Sequence, residues 1–388
     1  MINPPAKEKI IRDYYCGHFV KGDYFWSPVD LVMLSRLDDY EIKVIDFMVE
    51  CDIDAELEKA KMFRPNVIIG MVWEKIYKED ADFLKKLQES TGAERLLFIG
   101  DVTKFNSPKL QELGIESDFV KSFYHLENAG LGKFSLPRHH LFPLAKYSMP
   151  YSLRGKVATV LTAYACPFKC RFCNSGSYPY EERPLREVME ELKEIKKMGV
   201  KEIYFRDFTF TANEERVREL CRMMIEKRFE FDWSCDGRVN VSLETLELMK
   251  RAGCYLIFFG VETADDCLLL EMRKGITVAM IKDTFLRCKK LGIKVLASFI
   301  IGLPNSNDSD LEKTLEFAKK YCDYASFNVF ENRVGADLKF DKGSVDRTRA
   351  IEKEFYFRPG YIFRQLLSIK TIFQFKNFMK NGFAIFKK

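Results

Sequence analysis

The sequence predicts an α/β protein made of a small doubly wound unit of flavodoxin or Rossmann type, an open or partial β/α barrel, and a helical C-terminal tail. Three observations carry this reading. Between residues 156 and 330, six short apolar runs alternate with five amphipathic stretches of helical period, the pattern of parallel β/α units. Three of those stretches end on the same punctuation, Met198-Gly199-Val200, Ala252-Gly253-Cys254 and Leu291-Gly292-Ile293, where glycine supplies the left-handed turn back to the sheet. Six strands are too few to close an eight-stranded barrel, so the barrel is expected to be open.

In chain order, residues 1–130 read as the small unit. Its strands are expected at 42–47, 67–72 and 96–100, and its helices at 29–37 and 79–89. Residues 131–154 lose all periodicity among Gly, Pro, His and Tyr and read as a linker draped over one of the domains. The central domain, 155–340, has expected strands at 156–161, 202–206, 230–235, 255–260, 295–301 and 326–330. Its helices are expected at 185–198, 213–227, 243–251, 278–291 and 308–321. The tail, 341–388, changes character from Arg358 onward. It carries Arg358, Arg364, Lys370, Lys376, Lys380, Lys387 and Lys388 with no acid, interleaved with apolar residues such as Phe363, Leu367, Ile372 and Phe375. A basic amphipathic helix of this kind either lies on an anionic membrane surface or docks on the central domain with its lysines in water.

Composition narrows the class. Hydrophobic residues make up 47% of the 388 and charged residues 31%, with only 21 Gly and 13 Pro, which excludes disordered and collagenous proteins. Lys and Arg number 62 against 57 Asp and Glu, and a net charge of +5 is too small to argue for a nucleic-acid partner. The longest apolar runs, 67–72 and 295–303, fall far short of the roughly 20 residues of a membrane span. The start, Met1-Ile2-Asn3-Pro4-Pro5, lacks a basic-then-apolar signal, so a cytoplasmic protein is expected, at most associated with a membrane surface. Eleven cysteines, an odd number in a long chain, point to reduced thiols rather than disulfides. Eight of them, Cys16, Cys51, Cys221, Cys235, Cys254, Cys267, Cys288 and Cys322, read as small buried hydrophobes.

The other three stand apart. Ala165-Cys166-Pro167-Phe168-Lys169-Cys170-Arg171-Phe172-Cys173-Asn174, at the end of the first central strand, has the spacing C-x3-C-x2-C. Three thiolates within eight residues suit an iron–sulfur cluster better than a structural zinc, which asks for four protein ligands. No fourth Cys or His follows at zinc-like spacing; His139 and His140 lie upstream in the linker. A four-iron cluster usually takes four cysteines, so three leave one iron open.

At this loop the sequence resembles the radical S-adenosylmethionine (SAM) enzymes, whose signature is C-x3-C-x2-C with an aromatic before the last cysteine, here Phe172. The resemblance covers about residues 156–338. It implies a partial (β/α)6 barrel, a [4Fe-4S] cluster on Cys166, Cys170 and Cys173, and S-adenosyl-L-methionine chelated to the open iron. It further implies reductive cleavage to a 5′-deoxyadenosyl radical that abstracts hydrogen from substrate, fed by an external electron donor such as flavodoxin or ferredoxin. Carried over residue by residue, Asp207 is the candidate for the methionyl amino group, with helix capping as its other reading; Phe208 stands where relatives often have a second acid. Arg238 is the candidate partner of the methionyl carboxylate, or else a solvent-exposed loop arginine. Glu262, in Gly260-Val261-Glu262-Thr263, and Ser298 and Gly302, in the segment expected along the adenine, complete the cofactor set. Asn328, Glu331 and Arg333 are expected to face substrate.

The order of a small α/β unit, a linker, this barrel and a basic tail is similar to the subgroup of radical SAM enzymes with an N-terminal cobalamin-binding domain. That resemblance implies cobalamin and methylation of an unactivated carbon. A cobalamin-independent rearrangement, cyclisation or carbon–carbon bond formation is the alternative. The D-x-H-x-x-G signature is absent, and Phe98-Ile99-Gly100-Asp101-Val102-Thr103 replaces the glycine-pair loop common in relatives; many relatives bind the corrin without a histidine. Its floor would be the loops after Phe47, Trp73 and Gly100. Tyr24, Phe25, Trp26 and Trp73 would supply an aromatic cover or, equally, an ordinary domain interface. The substrate is a small molecule, lipid or peptide. A binding or scaffold protein that keeps the cluster structurally is the reading from another class.

Overall fold

The computed structural model describes residues 1–13, 18–20, 24–100, 135–173, 179–330 and 345–387. Two compact units emerge: Met1–Pro150 with Gly155–Thr159 and Lys197–Val200, and Tyr151–Arg154 with Val160–Lys196 and Lys201–Lys388.

The first unit holds a parallel four-stranded sheet of β1 (Ile2–Asn3), β2 (Ile45–Asp46), β3 (Val67–Met71) and β4 (Arg95–Ile99), in the order β2-β1-β3-β4. Helices α1 (Val29–Leu34), α2 (Ile53–Phe63) and α3 (Tyr77–Thr91) accompany it. Ile2, Ile45, Phe47, Ile68, Leu84 and Phe98 form its core. Close packing of α3 fixes Gly70, where a Cβ would lie 2.3 Å from Leu84 Cδ1. β1 and α2 were not expected from sequence. A two-residue strand has no period to read, and α2 buries only Glu56 and Ala60, its start set by the Asp52 carboxylate capping Ala55 N.

A buried polar network sits at the ends of these strands. Arg12 forks onto Asp80, with Nη2–Oδ1 at 2.6 Å and Nε–Oδ2 at 3.0 Å, and its Nη1 donates to Asn3 Oδ1 at 2.9 Å. Asn3 Nδ2 donates to Asp46 Oδ1, and Tyr147 OH donates to Asp46 Oδ2, both at 2.8 Å. Tyr147 belongs to a stretch without sheet or α-helix, where His139, Phe142, Leu144 and Met149 are also buried.

The second sheet has six strands: β5 (Val157–Val160), β6 (Glu202–Phe205), β7 (Asp232–Gly237), β8 (Cys254–Glu262), β9 (Lys294–Ile301) and β10 (Tyr324–Val329). Their order is β10-β9-β8-β7-β6-β5, and the pairs from β6 through β10 are parallel. Helices α4 (Leu185–Lys197), α5 (Glu214–Glu226), α6 (Leu243–Arg251), α7 (Asp266–Glu271), α8 (Val278–Leu291) and α9 (Asp308–Tyr321) alternate with the strands. The expected bounds of α6, α8 and α9 coincide with the observed ones because each starts at a side-chain cap, Ser242, Thr277 and Asn307. Side chains alternate along each strand. Phe299 and Phe327 stack on one face with centroids 5.3 Å apart, while Ser298, Ile300, Ser326 and Asn328 line the other, half-exposed face. The α/β class with parallel sheets and a helical C-terminal region is thus as read from the sequence.

The single basic helix expected in the tail is instead a series: α10 (Val345–Tyr356), α11 (Pro359–Ser368) and α12 (Ile372–Lys387). Tyr356 OH donates to Ala325 O at 2.6 Å and Gln365 Nε2 donates to Asp323 O at 3.3 Å, so the series is anchored beside β10. Of the cysteines expected to be buried, Cys221, Cys235, Cys254, Cys288 and Cys322 are. Cys51 and Cys267 are exposed. Cys51 directly precedes the Asp52 cap of α2, and Cys267 sits in the first turn of α7. Cys16 lies outside the described residues. Among the described residues no helix is long and apolar enough to cross a membrane.

Candidate active site

Beyond β5 the chain forms a short ribbon, Ala163–Tyr164 antiparallel to Glu181–Glu182, and the cysteine loop hangs from it. Ala165 turns into the loop with φ +53°, a left-handed conformation that costs a non-glycine residue about 1–3 kcal/mol. Cys166 Sγ lies 3.4 Å from Thr209 Oγ1, after β6. Burial pushes the Cys166 thiol up, while hydrogen bonds from Thr209 and the Phe168 backbone oppose the rise. Cys173 N donates to Cys170 O at 3.1 Å, closing the last turn. Among the described residues no three Cys, His, Asp or Glu side chains converge on a point that would hold a single metal ion. By donor type, three cysteines on one loop are one short of a closed tetrahedral zinc site and suit an iron–sulfur cluster.

Two buried cations face this loop. Arg238, just past β7 and 8% exposed, reaches Cys170 Sγ with Nη1 at 3.7 Å and lies 4.0 Å from the centroid of Phe168. Its backbone N donates to Thr211 Oγ1 at 2.9 Å, so the strand end is held from β6's side. The solvent-exposed alternative for Arg238 is therefore excluded. The second cation, Lys274, was missed in the sequence. Its Nζ donates to Glu262 Oε1 at 2.6 Å with both side chains buried, and it lies 5.4 Å from the Phe172 ring.

Local backbone makes this possible. The β8–β9 register slips between Gly260 and Glu262, and Glu262 takes φ +73°. A bulge of this kind re-aims the side chain. A Cβ on Gly260 would lie 2.8 Å from Glu262 Oε1 and 3.1 Å from Lys274 Nζ, so a larger residue there would make the ends of the paired side chains shift. The cysteine loop is pinned to the same segment: Arg171 N donates to Met272 O at 3.0 Å, and Phe172 packs on the cluster of Met272, Leu303 and Phe330.

Asp207 is placed differently. Both its oxygens accept from Thr162, Oδ1 from the backbone N at 2.6 Å and Oδ2 from the hydroxyl. Burial raises its carboxyl to about 6 while the Thr162 bonds oppose the rise. It caps no helix either, since α5 starts at Asn213. Asp207 holds the turn after β5. Ser298 and Asn328 are joined across β9 and β10, Nδ2 to Oγ at 3.1 Å. Gly302 follows β9 with φ +79°. On the same face, the buried Tyr204 OH and Arg206 Nη1 both reach the half-exposed Asp236 Oδ2, at 2.6 and 3.3 Å. Strand alternation alone would have exposed this trio. Glu331 and Arg333 lie outside the described residues.

A twisted parallel sheet with polar groups and a three-cysteine loop at its strand ends defines the class of site. Residues 160–318 match the model of the Radical SAM superfamily, so the chain carries a radical SAM domain, the catalytic domain of an enzyme class. Among known proteins it is 35% identical over 203 residues to an uncharacterized methyltransferase of Pyrococcus horikoshii, covering 50% of this chain and 43% of the relative. It is 28% identical over 195 residues to the hopanoid C-2 methylase of Rhodopseudomonas palustris, covering 47% and 36%. The chain thus spans less than half the length of these relatives. In fold it is similar to TsrM of Kitasatospora setae, a radical SAM methyltransferase solved with cobalamin and a [4Fe-4S] cluster. The TM-score is 0.62 at 15% identity, over 79% of this chain and 72% of that one, a span that has to include part of the first unit.

Proposed function

We propose that the chain is a radical SAM methyltransferase that holds a [4Fe-4S] cluster on Cys166, Cys170 and Cys173 and methylates an unactivated carbon with the help of cobalamin. The observation that carries the reading is the placing of Arg238, against Cys170 Sγ, and of the buried Glu262–Lys274 pair, against Phe172, beside a loop that carries three cysteines. When bound, the cluster and SAM supply a carbon-centred oxidant for hydrogen abstraction, and cobalamin supplies a methyl carrier. The residues of this chain bind and orient. Arg238 offers a bidentate cation for the methionyl carboxylate while its stacking on Phe168 fixes the guanidinium plane. Lys274 holds Glu262 against the bulge, so that its second carboxylate oxygen faces one direction for the cofactor. Phe172 and its apolar cluster keep water from the loop. Ser298 and Gly302 serve the adenine, and Asn328 the substrate. Asp207 supports the loop's entry rather than the methionyl amino group.

The first unit is the seat for cobalamin in this reading, with the loops after Phe47, Trp73 and Gly100 as its floor. Asp46 and Asp80 are spent on Tyr147, Asn3 and Arg12, so the described strand ends fit a corrin that takes no carboxylate ligand. That same economy favours the second reading, a cobalamin-free radical reaction. The reading is of a cytoplasmic enzyme fed by an electron donor of flavodoxin or ferredoxin type, and the free thiols among the described residues support it. Expression with ample hydroxocobalamin followed by desalting tests the reading: stoichiometric corrin and a product heavier by one methyl group support it. No retained corrin and an unmethylated product select the cobalamin-free reaction.

A further inference from the structure

The last two helices invert the usual arrangement of polar and apolar faces. On α11 the buried residues are Tyr361 and Gln365, and on α12 the buried residue is Asn377. Outward stand Phe363, 65% exposed, Leu367, 71%, Ile372, 76%, and Phe375, 47%. Phe363 and Leu367 are one turn apart, and Ile372, Phe375 and Met379 share the next stripe, so each helix carries an apolar stripe toward solvent beside the half-buried Ile362, Phe373 and Phe378. An exposed apolar stripe rimmed by polar residues marks an interaction surface.

Charge selects the partner. Arg364, Lys370, Lys376 and Lys380 are exposed among these apolar residues, and from Arg358 to Lys388 the sequence has no acid. A second copy of the chain would bring the same positive stripe and be repelled. A bilayer with anionic headgroups offers both an apolar layer and opposite charge at the same depth. Neither helix crosses a membrane, so the geometry is that of helices lying in the interface. We propose that α11 and α12 form a peripheral docking surface for an anionic lipid bilayer, which the stripe of Phe363, Leu367, Ile372 and Phe375 enters while the lysines and Arg364 meet the headgroup phosphates.

The test is co-sedimentation of the full chain with vesicles of phosphatidylcholine, with or without about 30% phosphatidylglycerol. Binding should be at least about tenfold stronger to the anionic vesicles and should fall steeply in high salt. Phe363→Ser with Leu367→Ser, and separately Lys370→Glu with Lys376→Glu, should each weaken it about tenfold while SAM cleavage is unchanged. Absence of binding to anionic vesicles overturns the proposal, as does binding that ignores both charge reversal and salt. Light scattering that shows a dimer abolished by the Ser variants would assign the face to a second copy instead. None of these outcomes touches the cluster loop, so the methyltransferase reading stands or falls separately.

Discussion

Replacing Lys274 by Met leaves Glu262 buried beside the cysteine loop without its cation. The pair is short, 2.6 Å, and its side chains are only 9% and 8% exposed. Removing one partner of such a buried pair costs about 3–5 kcal/mol, because the remaining charge is left uncompensated. That is a large share of the roughly 5–15 kcal/mol that keeps a domain folded. Glu262→Gln removes the charge but keeps an acceptor for Lys274, and should cost about 1–3 kcal/mol. The double variant leaves no orphan carboxylate, so it should be more stable than the sum of the single losses by about 2 kcal/mol. Anaerobic urea denaturation followed by circular dichroism measures all three, and calorimetric titration with SAM reports cofactor affinity on the same samples. A loss below about 1 kcal/mol for Lys274→Met, with no coupling in the cycle, would refute the claim that the pair holds the bulge. Weakened SAM binding in variants that remain folded separates positioning from mere stability.

Gly260→Ala should push the Glu262 carboxylate and Lys274 aside, since its Cβ would meet Glu262 Oε1 at 2.8 Å; SAM affinity should fall modestly, and an unchanged affinity would show that the position of the pair does not matter to the cofactor. Asp80→Asn breaks the fork with Arg12 in the first unit and should destabilise that unit by about 3–5 kcal/mol in a thermal melt, against near-neutrality if the network is dispensable. Asp46 and Asp207 are both raised to about 6, chiefly by burial, above the unfolded carboxylate near 4. Each therefore contributes stability that is fully present below about pH 4 and lost as pH rises through 6, on the order of 3 kcal/mol at most. Asp46→Asn should flatten the stability curve between those values; an unaltered slope there would show that Asp46 is not so raised.

The alternation of strands and helices in the central domain was legible because each element has both a period and a marked end. Ser242, Thr277 and Asn307 cap α6, α8 and α9, and Gly292 closes α8 in the left-handed conformation. β1 was not legible, since two residues carry no alternation, and α2 has almost no buried face. The helical tail was legible, but apolar and basic residues at helical spacing do not say which face turns inward; here Tyr361, Gln365 and Asn377 do. Of the residues singled out in the sequence, the structure sets Arg238 and Glu262 beside the cysteine loop, together with Lys274, which was not singled out. It reaches Glu262 only through the β8 bulge and the turn after α7, features that leave no trace in linear spacing. Asp207 shows the converse, a residue of the right type at the right strand whose oxygens are committed to Thr162.

The central claim is that three thiols on one loop hold a redox-active cluster that cleaves SAM. Anaerobic reconstitution with iron and sulfide, reduction with dithionite and quantification of 5′-deoxyadenosine test it most directly. The intact chain should take up a four-iron cluster with an electron paramagnetic resonance signal that shifts on adding SAM, and should form 5′-deoxyadenosine. Cys170→Ala should do neither. A Cys170→Ala protein that keeps full cluster content and cleavage, or an intact chain that binds iron yet leaves SAM untouched, would contradict it.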